Sequence, residues 1–128
     1  MTNTEIHDFI QNAIAEHRVM LFMKGTPEQP QCGFSLRTSA CLNALEVPYA
    51  ALDILPDPRI REELSGLSGW PTIPQLFVDG ELVGGADIVA EMYETGELAE
   101  SLGVEQPEEE PEPAQPAQQP IGLENRLD

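Results

Sequence analysis

The strongest constraint on the fold of this chain is the alternation of helical patterns with short apolar runs. From Thr4, the expected N-cap, apolar side chains recur at helical spacing, and the unbroken run VMLFMK at 19–24 then predicts a buried central strand. A loop with glycine and two prolines, GTPEQPQ, leads to a predicted helix over 33–46. The strand YAALDI at 49–54 and a helix that opens at Asp57 follow. This order predicts an α/β domain.

The second half of the predicted domain contains a hairpin and a further helix. Two apolar runs flank Asp79-Gly80, a two-residue turn signal, so QLFVDGELVGG predicts a β-hairpin. ADIVAEMYETG predicts a helix that ends near Gly96, and ELAESLG a short amphipathic turn. A right-handed crossover makes the first two strands parallel, and the hairpin adds antiparallel strands. We therefore predict a thioredoxin-like fold with a mixed four-stranded sheet flanked by helices.

The domain is predicted to span residues 1–103, followed by an acidic, proline-rich tail at 104–128. The whole chain has 23 acidic and 6 basic residues, a formal net charge of −17. The tail contains five of the 12 prolines and no aromatic residue, so it cannot bury enough apolar surface to offset its ordering entropy. We predict that it is disordered, and that Ile121–Leu127 is either a solubilising end or a short docking segment.

Charge and hydropathy exclude several classes of function. A net charge of −17 argues against binding to nucleic acid or to anionic membrane surfaces, because both need clustered Lys and Arg. No apolar run approaches the roughly 20 residues of a membrane span. The start, MTNTEIHDFI, lacks the basic and apolar regions of a signal peptide. Two cysteines are too few for a secreted disulfide framework. A cytoplasmic protein is expected.

Cys32 is the candidate reactive residue, because it lies where the loop after the first strand meets the next helix. The free N–H groups and dipole of a helix N-terminus stabilise a thiolate, and Lys24 adds positive charge nearby. These features are typical of a reactive or metal-ligating thiol rather than an inert core cysteine. Ser35 lies where a dithiol enzyme would carry its resolving thiol, so a second thiol must come from another molecule.

Cys41, the other cysteine, is predicted to be a core residue. It follows Cys32 by about 2.5 helical turns, which places it about 13 Å further along the helix and on its opposite side. A disulfide requires Cα atoms within about 7 Å, so the two cysteines cannot pair while the helix is folded. The site therefore has one working sulfur.

Two segments rich in exposed backbone are candidate binding elements. In GWPTIPQL, Pro74 is a candidate for a cis peptide bond, which would expose the backbone of Thr72 and Ile73 to an extended peptide ligand. An ordinary trans proline is the alternative. The segment GGAD at 84–87 opens a helix and offers free N–H groups to a carboxylate, although a plain turn and N-cap explain the same residues.

Together these stretches make the sequence resemble the monothiol glutaredoxins, specifically the single-domain CGFS type of bacteria. The resemblance covers about residues 4–102, and the stretches that carry it are LFMKGTPEQPQCGFS, IREELSGLSGWPTIPQLFVDGELVGGADI and EMYETGEL. It implies a thioredoxin-like fold and a glutathione site. Two positions depart from the family pattern: Gln29 stands where an aromatic residue is common, and Ala86 where many members have a cysteine.

The resemblance also implies which residues bind glutathione: Lys24, Arg61, Thr72, Ile73, Pro74, Gly85, Ala86 and Asp87. Lys24 and Arg61 would contact glutathione through charge. The Ile73 backbone would pair with the cysteinyl part of glutathione. Ala86 and Asp87 would hold its γ-glutamyl end.

Cys32 is the implied catalytic residue and iron ligand. A [2Fe–2S] cluster takes four ligands, so the resemblance implies a cluster that bridges a homodimer and is completed by two glutathione thiolates. It implies delivery of this cluster in iron–sulfur cluster assembly and iron homeostasis, with a BolA-like protein as a heterodimer partner and apo iron–sulfur proteins as recipients. Two alternatives stay open: a glutathione-dependent thiol-disulfide oxidoreductase that uses Cys32 alone, and a thioredoxin-like adaptor without a cofactor.

Overall fold

A mixed four-stranded sheet forms the centre of the computed structural model, which describes residues 2–105. The elements in chain order are α1 (Asn3–Glu16), β1 (Val19–Met23), α2 (Gly33–Ala44), β2 (Ala50–Asp53), α3 (Pro58–Ser68), β3 (Gln75–Val78), β4 (Glu81–Gly84), α4 (Ala86–Thr95) and α5 (Glu97–Leu102). The strand order is β2-β1-β3-β4. Strand β1 is parallel to β2 and antiparallel to β3, and β3 and β4 form the hairpin. The predicted element order and sheet are confirmed.

Strand β1 lies between two apolar cores, because successive side chains of a strand point to opposite faces. Val19, Leu21 and Met23 pack with residues of α2, α4 and α5 on one face. Met20 and Phe22 pack with residues of α1 and α3 on the other face. All five side chains are buried, as the unbroken apolar run predicts. Helices therefore cover both faces of the sheet.

Helix α1 begins earlier than the sequence pattern predicts, and Thr2 rather than Thr4 is its N-cap. The Thr2 hydroxyl accepts a hydrogen bond from the Glu5 N–H at 3.1 Å, and the Glu5 carboxylate accepts one from the Thr2 N–H at 2.7 Å. This capping box needs a Glu or Gln three residues after the cap, and Thr4 has His7 there. The prediction of Thr4 is wrong for this reason.

Other boundaries agree with the sequence to within two residues. Helix α2 ends at Ala44 rather than at 46, because Glu46 has a φ of 58°, which cannot continue a right-handed helix. Asp57 caps α3, as predicted, by accepting the Arg59 N–H at 3.0 Å. Asp79-Gly80 forms the predicted hairpin turn. The predicted tail falls almost entirely on residues 106–128, which lie outside the described residues.

Gly66, inside α3, and Gly69, its C-cap, differ in backbone conformation but both have room for a Cβ atom. A Cβ added at Gly66 or at Gly69 would have no heavy atom within 4 Å, yet only Gly69, the C-cap, has a left-handed φ of 73°. We expect Gly66→Ala to raise the free energy of unfolding by about 0.5–1 kcal/mol, because alanine favours the helix interior. Gly69→Ala should lower it by about 1–2 kcal/mol, because a Cβ disfavours the left-handed conformation. Urea unfolding of both variants measures the difference, and shifts of the same sign would contradict this reading.

Candidate functional site

Cys32 is the N-cap of α2, at the end of the loop that leaves β1. Its backbone is extended, with φ −154° and ψ 136°, and its side chain is half-buried and forms no capping bond. The N–H groups of Phe34 and Ser35, in the first turn of the helix, approach the sulfur. The thiol thus meets the positive end of a helix while staying accessible, as the sequence predicts.

The pKa of Cys32 lies below its ordinary value despite an opposing contribution from burial. Burial raises the pKa, but the backbone N–H groups of Ser35 and Phe34, the charge of Lys24 and the Ser35 hydroxyl together lower it further. A lowered pKa increases the thiolate fraction at neutral pH, and the thiolate is both the nucleophile and the metal ligand. Cys41 has the reverse property: it lies in the core, and burial raises its pKa. Both cysteines are free thiols.

Ser35 joins the reactive helix to the central strand. Its side chain is 0% exposed, and its Oγ accepts a hydrogen bond from the Lys24 backbone N–H at 3.0 Å. Ser35 stands where a dithiol enzyme would carry its resolving cysteine. Here its buried hydroxyl forms a structural hydrogen bond instead. It fixes the first turn of α2 against the residue that follows β1.

The loop between Lys24 and Cys32 is held at both of its ends. The Gly25 N–H donates to the Asp53 carboxylate at 2.9 Å, and the Gln31 N–H donates to the Lys24 carbonyl at 2.9 Å. Gly25 has a φ of 87°, and a Cβ there would lie 2.4 Å from the Gln29 carbonyl oxygen. Only glycine fits this position without displacing the loop. The backbone path to the thiol is therefore fixed.

The hydrogen bonds around Lys24 leave an open strand edge at Ile73. The Asp79 N–H donates to the Arg18 carbonyl at 2.7 Å, so even-numbered residues of β1 occupy hydrogen-bonded positions opposite β3. The next such pair would be Lys24 with Ile73. The Lys24 N–H and carbonyl bond to Ser35 and to Gln31 instead. Within residues 2–105, no hydrogen bond uses the Ile73 N–H or carbonyl.

The segment before this edge is held by side chains. The Ile73-Pro74 peptide bond is cis, as predicted. The Thr72 carbonyl accepts a hydrogen bond from Gln75 Nε2 at 3.2 Å, so that carbonyl is already engaged. Arg61 donates to the Pro71 carbonyl at 3.4 Å, which places this exposed cation beside the segment. The backbone of Ile73 is the part that remains for a ligand.

The N-terminus of α4 adjoins the same edge. Gly85 is its N-cap, and no side chain caps the helix, so its first N–H groups stay open. A Cβ at Gly85 would lie 3.3 Å from the Pro74 carbonyl oxygen and 3.0 Å from Trp70 Nε1, which shows how closely the two segments approach. Ala86 is buried and Asp87 is exposed in the first turn. An anionic group can bind here through backbone N–H groups.

The structure thus brings most of the predicted site residues to one end of the sheet. Three further residues of the site were not predicted from the sequence: Asp53 holds the loop, Trp70 approaches Gly85, and Gln75 bonds to the Trp70 and Thr72 carbonyls. The sequence does contain one indication of the role of Gln75, because this polar residue begins an otherwise apolar strand.

Among residues 2–105, no group of three or more His, Cys, Asp or Glu side chains could hold a metal ion. Within this part of the chain, Cys32 offers a single thiolate as a candidate ligand. In the same part of the chain, no helix is long and apolar enough to cross a membrane.

The site thus contains one activated thiol at a helix N-terminus, next to an unpaired strand segment. Such a site is typical of proteins that act through a cysteine thiolate. Residues 19–83 match the family model described as Glutaredoxin. The chain is 54% identical over 94 residues to a probable monothiol glutaredoxin 2 of Rickettsia typhi, an alignment covering 73% of this chain and 85% of that one. It is 57% identical over 83 residues to a probable monothiol glutaredoxin of Legionella pneumophila, covering 65% and 93%.

Solved structures agree with these relatives. The fold is similar to that of reduced apo GrxS14 of poplar, with a TM-score of 0.71, 41% identity, and coverage of 80% of this chain and 95% of that chain. The thioredoxin-like fold predicted from the sequence is confirmed. The chain belongs to the glutaredoxin family, among its monothiol members.

The hydroxyl of Ser35 can be tested through the reactivity of Cys32. In Ser35→Ala, the thiolate loses one hydrogen-bonding group that lowers its pKa. We expect the pH at which alkylation of Cys32 reaches half its maximal rate to move upward, measured with iodoacetamide in a Cys41→Ser background. Thr38→Val is the matched control, because the buried Thr38 hydroxyl donates to the Phe34 carbonyl at 3.0 Å and is not among the groups that lower the Cys32 pKa. An unchanged profile in Ser35→Ala, or an equal shift in the control, would contradict the role of the hydroxyl.

Proposed function

We propose that this monothiol glutaredoxin binds a [2Fe–2S] cluster together with glutathione and delivers it to apo iron–sulfur proteins. The observation that carries the proposal is the isolation of the Cys32 thiolate. It is activated by α2, the chain's other cysteine lies in the core, and Cys32 lies at the end of the sheet where the Ile73 backbone makes no hydrogen bond within residues 2–105. A single thiolate is one of the four ligands that a [2Fe–2S] cluster takes, so it suits a cluster that is bound jointly by several molecules.

Glutathione fits the edge as a short, extended, anionic peptide. Its cysteinyl part would pair with the free N–H and carbonyl of Ile73. Its γ-glutamyl carboxylate would lie on the open N–H groups of α4 at Ala86 and Asp87. Lys24 and Arg61 supply positive charge for the carboxylates. This arrangement would bring the glutathione thiol to the same end of the sheet as Cys32.

Ligand number favours a dimer. Four thiolates complete a [2Fe–2S] cluster, and two chains with two glutathiones supply four. Phe34, two residues after Cys32, is 55% exposed and offers an apolar surface that a second molecule could cover. The homodimer and a heterodimer with a BolA-like protein are both compatible with this surface.

Delivery would proceed by exchange of thiolates. The two glutathione thiolates are not covalently attached to protein, so cysteine thiols of a recipient would replace them first and the two Cys32 thiolates last. Each recipient thiol would give up a proton on binding, and each released thiolate would take one up. No oxidation or reduction is required. A chain with a net charge of −17 has little affinity for nucleic acid or anionic membranes, so we place this activity in the cytoplasm.

A second candidate function follows from the lowered pKa of Cys32. The thiolate could attack the glutathione sulfur of a glutathionylated protein, releasing the protein thiolate, which takes up a proton. A second glutathione thiolate would then attack the Cys32-bound glutathione, giving oxidised glutathione and free Cys32. This reaction needs one protein cysteine, which is what the site provides.

The proposed glutathione contacts predict the effect of removing two cations. Lys24→Ala and Arg61→Ala should each weaken glutathione binding by about threefold to tenfold, because each removes an attraction to a carboxylate. Isothermal titration at low salt measures the affinity. Arg18→Ala is the matched control, since Arg18 lies before β1, at the end opposite Lys24, and pairs with Asp79 at 3.3 Å. Unchanged affinity in both site variants would refute this placement.

Cluster binding is tested by anaerobic reconstitution with iron, sulfide and glutathione. We expect visible charge-transfer bands that require glutathione, together with a dimer in size-exclusion chromatography. Cys32→Ser should abolish the bands and Cys41→Ser should retain them, because Cys41 lies in the core. A folded but colourless Cys41→Ser protein would overturn the assignment of Cys32 as the cluster ligand. A colourless wild-type monomer that reduces glutathione mixed disulfides would establish the oxidoreductase instead.

A further inference from the structure

Gln75 is a polar side chain buried in an otherwise apolar strand. It opens β3, in which all four residues are buried, and it is itself 0% exposed. The other three residues of the strand are apolar. A buried amide is stabilising only when its polar atoms find partners. The bonds that Gln75 makes therefore need an explanation.

Both N–H groups of the amide support the segment that ends at the open edge. Gln75 Nε2 donates to the Trp70 carbonyl at 2.9 Å and to the Thr72 carbonyl at 3.2 Å. Two facing carbonyls require the nitrogen rather than the oxygen at this position, which fixes the amide orientation. The amide thus bridges two alternate carbonyls, and the second of them immediately precedes Ile73.

The amide is only partly satisfied. Gln75 Oε1 is buried and has no hydrogen-bond partner within residues 2–105. An apolar side chain of similar length would remove this unpartnered acceptor, but it would also leave the Trp70 and Thr72 carbonyls without the donor that they now share. Trp70 Nε1, against Gly85, is also buried without a partner in this part of the chain. The amide therefore pairs two carbonyls of the segment while its own oxygen stays unpartnered, so its hydrogen bonds act on the segment rather than on the interior of β3.

We propose that Gln75 is a positioning residue, which holds the Trp70–Thr72 segment so that the Ile73 backbone stays open and aligned for a peptide ligand. The proposal rests on the proposed glutathione site and adds a residue to it that does not itself touch the ligand. Gln75 Nε2 binds the Thr72 carbonyl, so this carbonyl is held away from the Ile73 backbone. The N–H and carbonyl of Ile73 therefore remain available.

Gln75→Met tests this role, because methionine keeps the length of the side chain and removes both donors. We expect the folded variant to bind glutathione at least about tenfold more weakly by isothermal titration, since the hydrogen bonds of Ile73 to the ligand become misaligned. In amide NMR spectra, the Ile73 signal of wild-type protein should shift on adding glutathione. In the variant, that signal should differ already without ligand and respond less.

Val78→Ala is the matched control for stability. Val78 is buried at the other end of β3, so its truncation should lower the unfolding midpoint without changing glutathione affinity or the Ile73 signal. Should Gln75→Met fail to fold, Gln75→Asn replaces it: the shorter side chain keeps an amide that falls short of the carbonyls, and the same loss of affinity is expected.

Three outcomes would overturn the proposal. They are glutathione affinity of the Gln75 variant within about twofold of wild type, an equal loss in Val78→Ala, and an Ile73 signal that is the same in wild type and variant without ligand. A wild-type protein that binds no glutathione is a different result. It would refute the proposed function, while the ligand-free Ile73 signals would still decide whether Gln75 holds the edge.

Discussion

The hydrogen bond from the Lys24 N–H to the Ser35 hydroxyl is the contact on which the site depends. It fixes α2, and with it Cys32, against the end of the central strand. It also takes Lys24 out of the ladder with β3, which leaves Ile73 without a partner. One buried hydroxyl therefore sets the position of the thiol and the availability of the edge beside it. A strand that continued its regular pairing would close the edge.

The two apolar cores make this arrangement rigid. Strand β1 is buried on both faces, so a shift of Lys24 relative to Ile73 would have to move side chains in both cores at once. The loop that leads to Cys32 is held by Asp53, at the end of β2, through the Gly25 N–H. Strands β1 and β2 thus each contribute a fixed contact to the site.

Much of this could be predicted from the sequence, because the signals are local. The apolar run of β1, the Asp79-Gly80 turn and the position of Cys32 before a helix each depend on a few neighbouring residues. The roles of Ser35 and Gln75 could not be predicted in the same way, because their partners are set by strand register and by the approach of separate elements. The prediction of Thr4 as N-cap is wrong for another reason, because Thr2 and Glu5 form a capping box whose pattern is itself local in the sequence.

The open edge has a consequence for how the protein tolerates change. In the proposed site, the groups that would face the ligand are main-chain atoms of Ile73 and of the first turn of α4, and main-chain atoms are the same in every amino acid except proline. The side chains of Ile73 and Ala86 are buried, so their identity is constrained by packing rather than by recognition. Replacing Ile73 by alanine would lower the stability of the fold and leave its main-chain groups in place. These main-chain hydrogen bonds can be removed by changing the ligand, for example with glutathione analogues methylated on their peptide nitrogens.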